Sequence, residues 1–188
     1  MQLAVFVSGS GTNLQCIIDA IENGTLKNTS IGLIVADRNC YATERAAQHH
    51  IPYFIFDRKS NWQNEIFDEL IQHKISHIVL AGFLSIVPKQ FCENWKNKVI
   101  NLHPALLPKY GGKGMYGLKV HQAVIDNNEN ISGATVHFVN ELIDDGDIII
   151  QESCSVDKNE TAETLQNKIH LIEHSILIKV IQILHEKN

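Results

Sequence analysis

Short apolar segments alternate with amphipathic ones over roughly the first hundred residues of the chain. The first apolar run, residues 3–7, ends at a turn made of glycine and serine. Further apolar runs lie at residues 31–36, 53–56, 78–81 and 99–102. Runs of this length, bounded by polar residues or glycine, are typical of buried strands.

The segments between these runs have helical spacing. Residues 13–21 place apolar side chains three or four positions apart, and residues 42–50 and 61–73 show similar patterns. Pro88 opens another predicted helix, in which Phe91 and Trp95 are spaced to face the core. Strands that alternate with helices predict a mostly parallel sheet covered by helices on both faces.

The pattern changes after Pro108. Residues 110–117 contain four glycines and predict a mobile loop, which a helix over residues 119–126 follows. Two strands, residues 134–140 and 148–153, are joined by a polar turn, and one long amphipathic helix covers residues 162–185. We therefore expect a single α/β domain over residues 1–188: an open, mostly parallel twisted sheet, an antiparallel strand pair in the C-terminal half, and a long C-terminal helix.

Composition narrows the possible functions. The chain carries 16 Lys and Arg against 21 Asp and Glu, a net charge of −5, which disfavours a dedicated nucleic-acid-binding protein. Its four cysteines, Cys16, Cys40, Cys92 and Cys154, form no C-x-x-C pair and are expected to be free thiols. No apolar stretch is long enough to span a bilayer, so a soluble, cytoplasmic protein without membrane contacts is expected.

The turn after the first strand is the first candidate site. Gly11, Thr12 and Asn13 stand where a strand passes into a helix, and free amides at a helix N-terminus favour a phosphate group. A dinucleotide-binding G-x-G-x-x-G pattern would need glycine at Leu14, and the G-K-[ST] ending of an ATP-binding loop is absent. The turn therefore predicts a phosphate site, with a tight turn that binds no ligand as the alternative.

Asn101 and His103 are the second candidate. They lie two positions apart on a predicted strand, so their side chains share one face, and Pro104 ends the strand directly after them. An amide beside an imidazole suits the polarisation of a carbonyl group and the handling of its developing charge. A structural asparagine and a hydrogen-bonded core histidine remain the alternative.

An acidic turn is the third candidate. Asp144, Asp145 and Asp147 surround Gly146, and a carboxylate beside His103 would raise the pKa of that histidine and orient its ring. The spacing does not decide which aspartate does this, and a merely structural turn is the alternative. The turn lacks the ligand pattern of a calcium loop, and the pairs His73/His77 and His170/His174 lack the H-E-x-x-H order, so no metal is expected.

Taken together and in this order, five segments closely resemble the folate-dependent phosphoribosylglycinamide formyltransferases of purine synthesis. They are residues 7–15 (VSGSGTNLQ), 80–83 (LAGF), 101–108 (NLHPALLP), 136–139 (VHFV) and 144–151 (DDGDIIIQ). The resemblance extends over essentially the whole chain. It implies a Rossmann-like formyltransferase fold and formyl transfer from the co-substrate 10-formyltetrahydrofolate to the amino group of glycinamide ribonucleotide.

The resemblance also assigns catalytic roles. Asn101 would hold the formyl oxygen, and His103 would act as general acid toward the tetrahedral intermediate. Asp144 would raise the pKa of His103 and assist proton transfer through water. His137 would support Asp144 from the neighbouring strand.

Binding roles follow in the same way. The substrate phosphate would bind Gly11, Thr12 and Asn13, and Glu173 matches a position that contacts the ribose. The folate site would be lined by Leu84, Ser85, Ile86, Val87 and Asn101. Ser85 stands where many members of the family have an arginine, which puts one folate contact in doubt.

Related enzymes and other classes of protein fit the sequence less well. Methionyl-tRNA formyltransferase adds a C-terminal domain and formyltetrahydrofolate hydrolase an N-terminal one, and we expect neither extension here. A dinucleotide oxidoreductase would need the missing third glycine. A non-catalytic nucleotide-binding module would leave Asn101, His103 and Asp144 without a purpose. The sequence leaves open whether the protein is a monomer or a homodimer.

Overall fold

The computed structural model describes residues 1–60 and 62–186. Its seven strands are β1 (Gln2–Val7), β2 (Ser30–Ala36), β3 (Tyr53–Ile55), β4 (His77–Leu80), β5 (Val99–His103), β6 (Ile131–Phe138) and β7 (Ile148–Ser155). Its six helices are α1 (Thr12–Glu22), α2 (Tyr41–Gln48), α3 (Trp62–Gln72), α4 (Lys89–Asn94), α5 (Leu118–Asp126) and α6 (Ala162–Glu186).

All seven strands form one sheet in the order β3-β2-β1-β4-β5-β6-β7. The first five strands are parallel to one another, whereas β6 pairs antiparallel with both β5 and β7. The predicted fold class is confirmed, including the antiparallel pair and the long last helix. That β6 also pairs antiparallel with β5 is a feature that the alternation of strands and helices did not predict.

The order of the strands determines where a ligand can bind. The chain runs outward from β1 to β3, then returns to the other side of β1 and continues from β4 to β5. The strand order therefore reverses between β1 and β4, and open α/β sheets bind ligands beyond the carboxyl ends of the strands at such a point. Both the glycine-rich turn after β1 and the segment after β4 begin at this edge.

Side chains of β1 enter two separate cores on opposite faces of the sheet. Leu3, Val5 and Val7 pack with apolar residues of α1 and α6, whereas Ala4 and Phe6 pack with residues of α3 and α4. Successive side chains of a strand point to opposite faces, so an uninterrupted apolar strand fills both layers. Phe91 and Trp95 are buried in the second core, as their spacing predicts.

Several predicted boundaries were wrong by a few residues. The predicted strand over residues 134–140 is β6, which begins at Ile131 and ends at Phe138. The predicted helix over residues 42–50 is α2, which ends at Gln48 because His50 adopts a left-handed backbone conformation. The predicted helix over residues 61–73 is α3, and its first predicted residue, Asn61, lies outside the described residues.

The long helix α6 presents its apolar stripe to the core, where Leu165, Ile169, Ile176 and Val180 are fully buried. Its apolar positions are interrupted by polar ones at every turn. Among the described residues, no helix combines the length and apolar character that crossing a bilayer requires.

Replacing Ile169 by alanine should lower the free energy of unfolding by about 2–5 kcal/mol, because it leaves a cavity in the core under α6. Leu171 lies on the same helix and is 73% exposed, so Leu171→Ala should change stability by about 0.5 kcal/mol or less. Urea unfolding of the two variants measures both values. Equal losses would contradict the described orientation of α6.

Candidate active site

A cavity of about 680 Å³ lies at the carboxyl ends of β1, β4 and β5. All the candidate site residues line it: Gly11, Thr12, Asn13, Leu84, Ser85, Ile86, Val87, Asn101, His103, His137, Asp144 and Glu173. Residues that are far apart in the sequence thus meet at the reversal of strand order.

One end of the cavity is formed by the turn of residues 8–13, here called the phosphate loop. Gly11 has φ +71° and comes so close to α2 that an added Cβ would lie 2.7 Å from the Cβ of Ala42. The helix α1 begins at Thr12, has no side-chain cap and carries no acidic residue in its first turn. Among the described residues, the amides of Gly11, Thr12 and Asn13 have no protein acceptor. Such free amides at a helix N-terminus are suited to an anion.

A serine that the sequence analysis did not single out connects this loop to the opposite wall. Ser8 is buried, and its Oγ accepts a hydrogen bond of 2.8 Å from the Leu84 amide. The phosphate loop and the segment after β4 therefore hold each other in place across the edge of the sheet.

The other end of the cavity has an apolar wall. Leu84 and Ile86 are 44% and 62% exposed, and Leu142 and Ile143, from the acidic turn, are also exposed and line the same cavity. Clustered exposed apolar side chains in a cavity favour a ligand with an apolar part. The hydroxyl of Ser85 donates a 2.7 Å hydrogen bond to Asp37 and so already has a partner within the protein.

Asn101 is held between two side chains at the centre of the cavity. Its Nδ2 lies 3.1 Å from Oδ1 of Asp144 and 3.1 Å from Nε2 of His137. The Nδ1 of His137 lies 2.8 Å from the Phe138 carbonyl, which can only accept, so Nδ1 carries a proton. In the neutral ring Nε2 is then an acceptor for the Asn101 amide. His137 thus orients the Asn101 amide, which in turn donates to Asp144; Oδ1 of Asp144 lies 3.7 Å from Nε2 of His137.

His103 lies on the same side of the sheet, with an oxygen acceptor near each ring nitrogen. Its Nε2 donates to the Tyr110 carbonyl at 2.8 Å, and its Nδ1 is 3.5 Å from Oδ2 of Asp144. The Gly112 amide donates to the same Oδ2 at 2.9 Å. The chain that leaves β5 therefore folds back over the imidazole and the carboxylate and contacts both.

Burial lowers the pKa of His103 and outweighs the Asp144 charge and the Tyr110 carbonyl, which both raise it. Asp144 raises the pKa of His103, as expected, but burial keeps that pKa below its ordinary value. Burial raises the pKa of Asp144, yet the contacts with His137, His103 and Gly112 together bring it below its ordinary value. At neutral pH the carboxylate is therefore charged and the imidazole mostly neutral.

Glu173, on α6, is buried beside the phosphate loop. Asn13 is its hydrogen-bond partner, Nε2 of His170 lies 3.6 Å from its Oε2, and that oxygen has no hydrogen bond among the described residues. Burial raises the pKa of Glu173 to about 7. A carboxyl group in this position can both accept and donate hydrogen bonds near neutral pH.

Other groups around the site had no sequence signal or only a weak one. The Tyr110 carbonyl and the Gly112 amide are backbone groups, which side-chain patterns do not reveal. Thr135 is fully buried on β6; its Oγ1 donates to the Ala105 carbonyl and accepts from the Leu107 amide. Its position two residues before His137 could have suggested that it faces the site.

In residues 1–60 and 62–186 no group of three or more His, Cys, Asp or Glu residues is arranged to hold a metal ion.

The chain is similar to known proteins over most of its length. The family model described as formyl transferase matches residues 1–181. The chain is 34% identical over 186 residues to phosphoribosylglycinamide formyltransferase, chloroplastic, of Arabidopsis thaliana, covering 96% of this chain and 64% of the relative. It is 33% identical to the phosphoribosylglycinamide formyltransferase of Bacillus subtilis, covering 96% of this chain and 93% of that protein.

A solved structure has the same architecture. Glycinamide ribonucleotide transformylase 1 from Geobacillus kaustophilus is 34% identical, with a TM-score of 0.89 over 97% of both chains. The chain spans just under two thirds of the plant relatives' length but nearly all of the bacterial proteins named here. Because the family model matches nearly every residue and the bacterial relative is covered almost completely, the chain belongs to the formyl transferase family.

Proposed function

We propose that this chain is a phosphoribosylglycinamide formyltransferase. It transfers the formyl group of 10-formyltetrahydrofolate to the amino group of glycinamide ribonucleotide, giving formylglycinamide ribonucleotide and tetrahydrofolate in de novo purine biosynthesis. The observation that carries the proposal is the carboxylate of Asp144, which contacts both Asn101 and His103 between a phosphate loop and an apolar wall. The names of the bacterial and plant relatives support the same acceptor and reaction.

The two ends of the cavity suit the two substrates. The free amides of Gly11, Thr12 and Asn13 bind the phosphate of the ribonucleotide, and the unpartnered Oε2 of Glu173 meets a ribose hydroxyl. The apolar side chains of Leu84, Ile86 and Val87 cover the heterocycle of the folate. Bound there, 10-formyltetrahydrofolate supplies an electrophilic carbon to the amine.

Asn101 holds the formyl oxygen, which gains negative charge as the amine attacks. One N–H of Asn101 exchanges its contact with Asp144 or His137 for this oxygen, while the other contact keeps the amide oriented. A donor that is already held in place needs little reorganisation during the reaction, which is the condition for strong electrostatic catalysis.

His103 transfers the proton. Its neutral ring accepts at Nδ1 the proton that the attacking amine releases, and the Asp144 carboxylate stabilises the imidazolium that forms. As general acid, the ring then donates this proton to the folate nitrogen while the bond between that nitrogen and the formyl carbon breaks. The Tyr110 carbonyl holds the proton on Nε2 throughout. Asp144 is therefore the counter-charge that makes a buried histidine protonable, and it assists proton transfer through water.

The proposal extends to the chain as a whole. Residues 1–188 form a single formyltransferase domain that acts on small molecules in the cytoplasm, without nucleic acid, membrane or metal. The plant relative is named as chloroplastic, so the compartment differs between members of the family.

Formyl transfer should be detected when the purified protein is mixed with a 10-formyl folate and glycinamide ribonucleotide. Absorbance of the deformylated folate is followed with and without the ribonucleotide. We expect the absorbance to change only when the ribonucleotide is present, because the phosphate loop is suited to bind its phosphate group. A signal with folate and water alone would contradict the proposal and indicate a hydrolase.

His103→Ala and Asp144→Asn should each lower turnover by about 10²-fold or more, because the proton transfer loses its donor or its counter-charge. Binding of the ribonucleotide should be largely kept, since neither residue is at the phosphate loop. Asp145→Asn is the matched control, from the next position of the same turn, and should stay near wild-type activity. If instead Asp145→Asn were inactive and Asp144→Asn active, the assignment of the carboxylate would be wrong.

Glu173 should make the free energy of unfolding fall as pH rises toward 7. Its folded pKa of about 7 lies above the ordinary 4.5, so the folded state holds more protons than the unfolded state between these values. Its contribution is complete below pH 4.5 and is lost as pH rises through 7, on the order of 3 kcal/mol in total.

Glu173→Gln should therefore flatten the dependence of the unfolding free energy on pH between pH 5 and 8, approximately. Urea unfolding across this range measures it, with Glu163→Gln as the control because Glu163 is an exposed carboxylate of the same helix. Unchanged slopes in Glu173→Gln would show that Glu173 titrates in the ordinary range.

A further inference from the structure

Arg45, on α2, contacts the phosphate loop from outside the cavity. Its Nε donates to the Ser10 carbonyl at 2.9 Å, and its Nη1 donates to Oε1 of Gln15 on α1, also at 2.9 Å. The guanidinium lies over the ring of Tyr41, 4.8 Å from its centroid. Arg45 is not one of the residues that line the cavity. It therefore joins the loop, α1 and α2 without reaching the substrate position itself.

The contacts from α2 determine the direction of two peptide groups in the loop. The Ala42 amide donates to the Gly9 carbonyl at 3.1 Å, and Arg45 holds the Ser10 carbonyl. In a trans peptide the C=O and the following N–H point in opposite directions. With both carbonyls turned toward α2, the N–H groups of Ser10 and Gly11 point away from it. Arg45 thus acts on the amide of Gly11 through the carbonyl of the preceding residue.

The position of α2 leaves little room for another arrangement. An added Cβ on Gly11 would lie 2.7 Å from the Cβ of Ala42 and 3.4 Å from Cδ of Arg45. The loop is therefore packed directly against the helix that carries Arg45. Without the guanidinium, the Ser10 carbonyl would lose its donor, and the peptide that carries the Gly11 amide could rotate.

The charge of Arg45 is also free to act on an anion. Within the described part of the chain Arg45 forms no ion pair; its hydrogen bonds go to a carbonyl and to an amide oxygen. Asp19, an acid on α1, accepts a hydrogen bond from Nε2 of Gln15 and not from Arg45. A positive charge behind the loop adds to the helix dipole of α1 in favouring an anion in front of it.

We propose that Arg45 is a positioning residue for the phosphate of the substrate: by holding the Ser10 carbonyl and Gln15, it keeps the amides of the phosphate loop directed into the cavity. The inference rests on the proposed function, because it takes the phosphate of glycinamide ribonucleotide as the ligand of that loop. It requires arginine rather than lysine, since a planar fork donates to two acceptors at once and a single ammonium group does not hold the same geometry.

Binding of inorganic phosphate, followed by ³¹P NMR titration, tests the proposal without depending on catalysis. Arg45→Met should bind phosphate about tenfold or more weakly than the wild type, because a charged hydrogen bond to the loop is lost. Arg45→Lys keeps the charge and should recover only part of this affinity. Lys27→Met removes an equal charge from an exposed position and should leave affinity within about twofold of the wild type.

Steady-state kinetics supply the second readout. Arg45→Met should raise KM for the ribonucleotide by about the same factor while kcat and the folate KM stay within about twofold. Phosphate affinity of Arg45→Met within about twofold of the wild type would overturn the proposal, as would full recovery of affinity by Arg45→Lys. Should Arg45→Met fail to fold, Arg45→Lys alone decides, and an affinity equal to that of the wild type overturns it. A wild type that binds phosphate but transfers no formyl group would refute the proposed function and leave the test of Arg45 intact.

Discussion

The site depends on one buried carboxylate. The Asp144 side chain is 9% exposed, and its neighbours come from different parts of the chain: Asn101 on β5, His137 on β6 and the Gly112 amide in the loop after β5. A carboxylate that loses its partners in such a place costs several kcal/mol, so the carboxylate and its donors must be in place together. In the proposed mechanism the same charge also stabilises the imidazolium of His103.

The antiparallel pairing of β6 with β5 brings Asn101, His103 and His137 together. In this register Asn101 lies opposite His137, and His103 lies opposite Thr135. Because side chains alternate along a strand, a slip of one residue would turn His137 and Thr135 to the other face of the sheet. The Thr135 hydroxyl also holds the Ala105 carbonyl and the Leu107 amide, so it directs the chain that returns over His103. The strand pair therefore determines the geometry of the candidate site.

Local rules were sufficient for the parts of the site that local chemistry determines. Glycine and a helix start predicted the tight turn between β1 and α1, whose binding of a phosphate stays a prediction. The two-residue period with Pro104 placed Asn101 and His103 on one face at a strand end. The choice of Asp144 among three aspartates came from resemblance alone, because it depends on how the turn folds back over β5. The Tyr110 carbonyl, the Gly112 amide and the contact of Arg45 with Ser10 depend on the path of the chain in three dimensions. Side-chain patterns carry no information about such contacts.

The pKa values of two carboxyl groups in the same cavity are shifted in opposite directions, and the reason is the number of donors around each. Asp144 has an amide side chain, a backbone amide and two histidines beside it, which together overcome the cost of burial. Glu173 has the Asn13 side chain and an oxygen without a hydrogen bond, so burial dominates and its pKa rises. In the proposed complex a phosphate dianion lies next to Glu173, which would raise that pKa further and favour the neutral acid. A neutral Glu173 avoids repelling the phosphate and can donate to a ribose oxygen, whereas a charged Asp144 is what a protonated His103 requires.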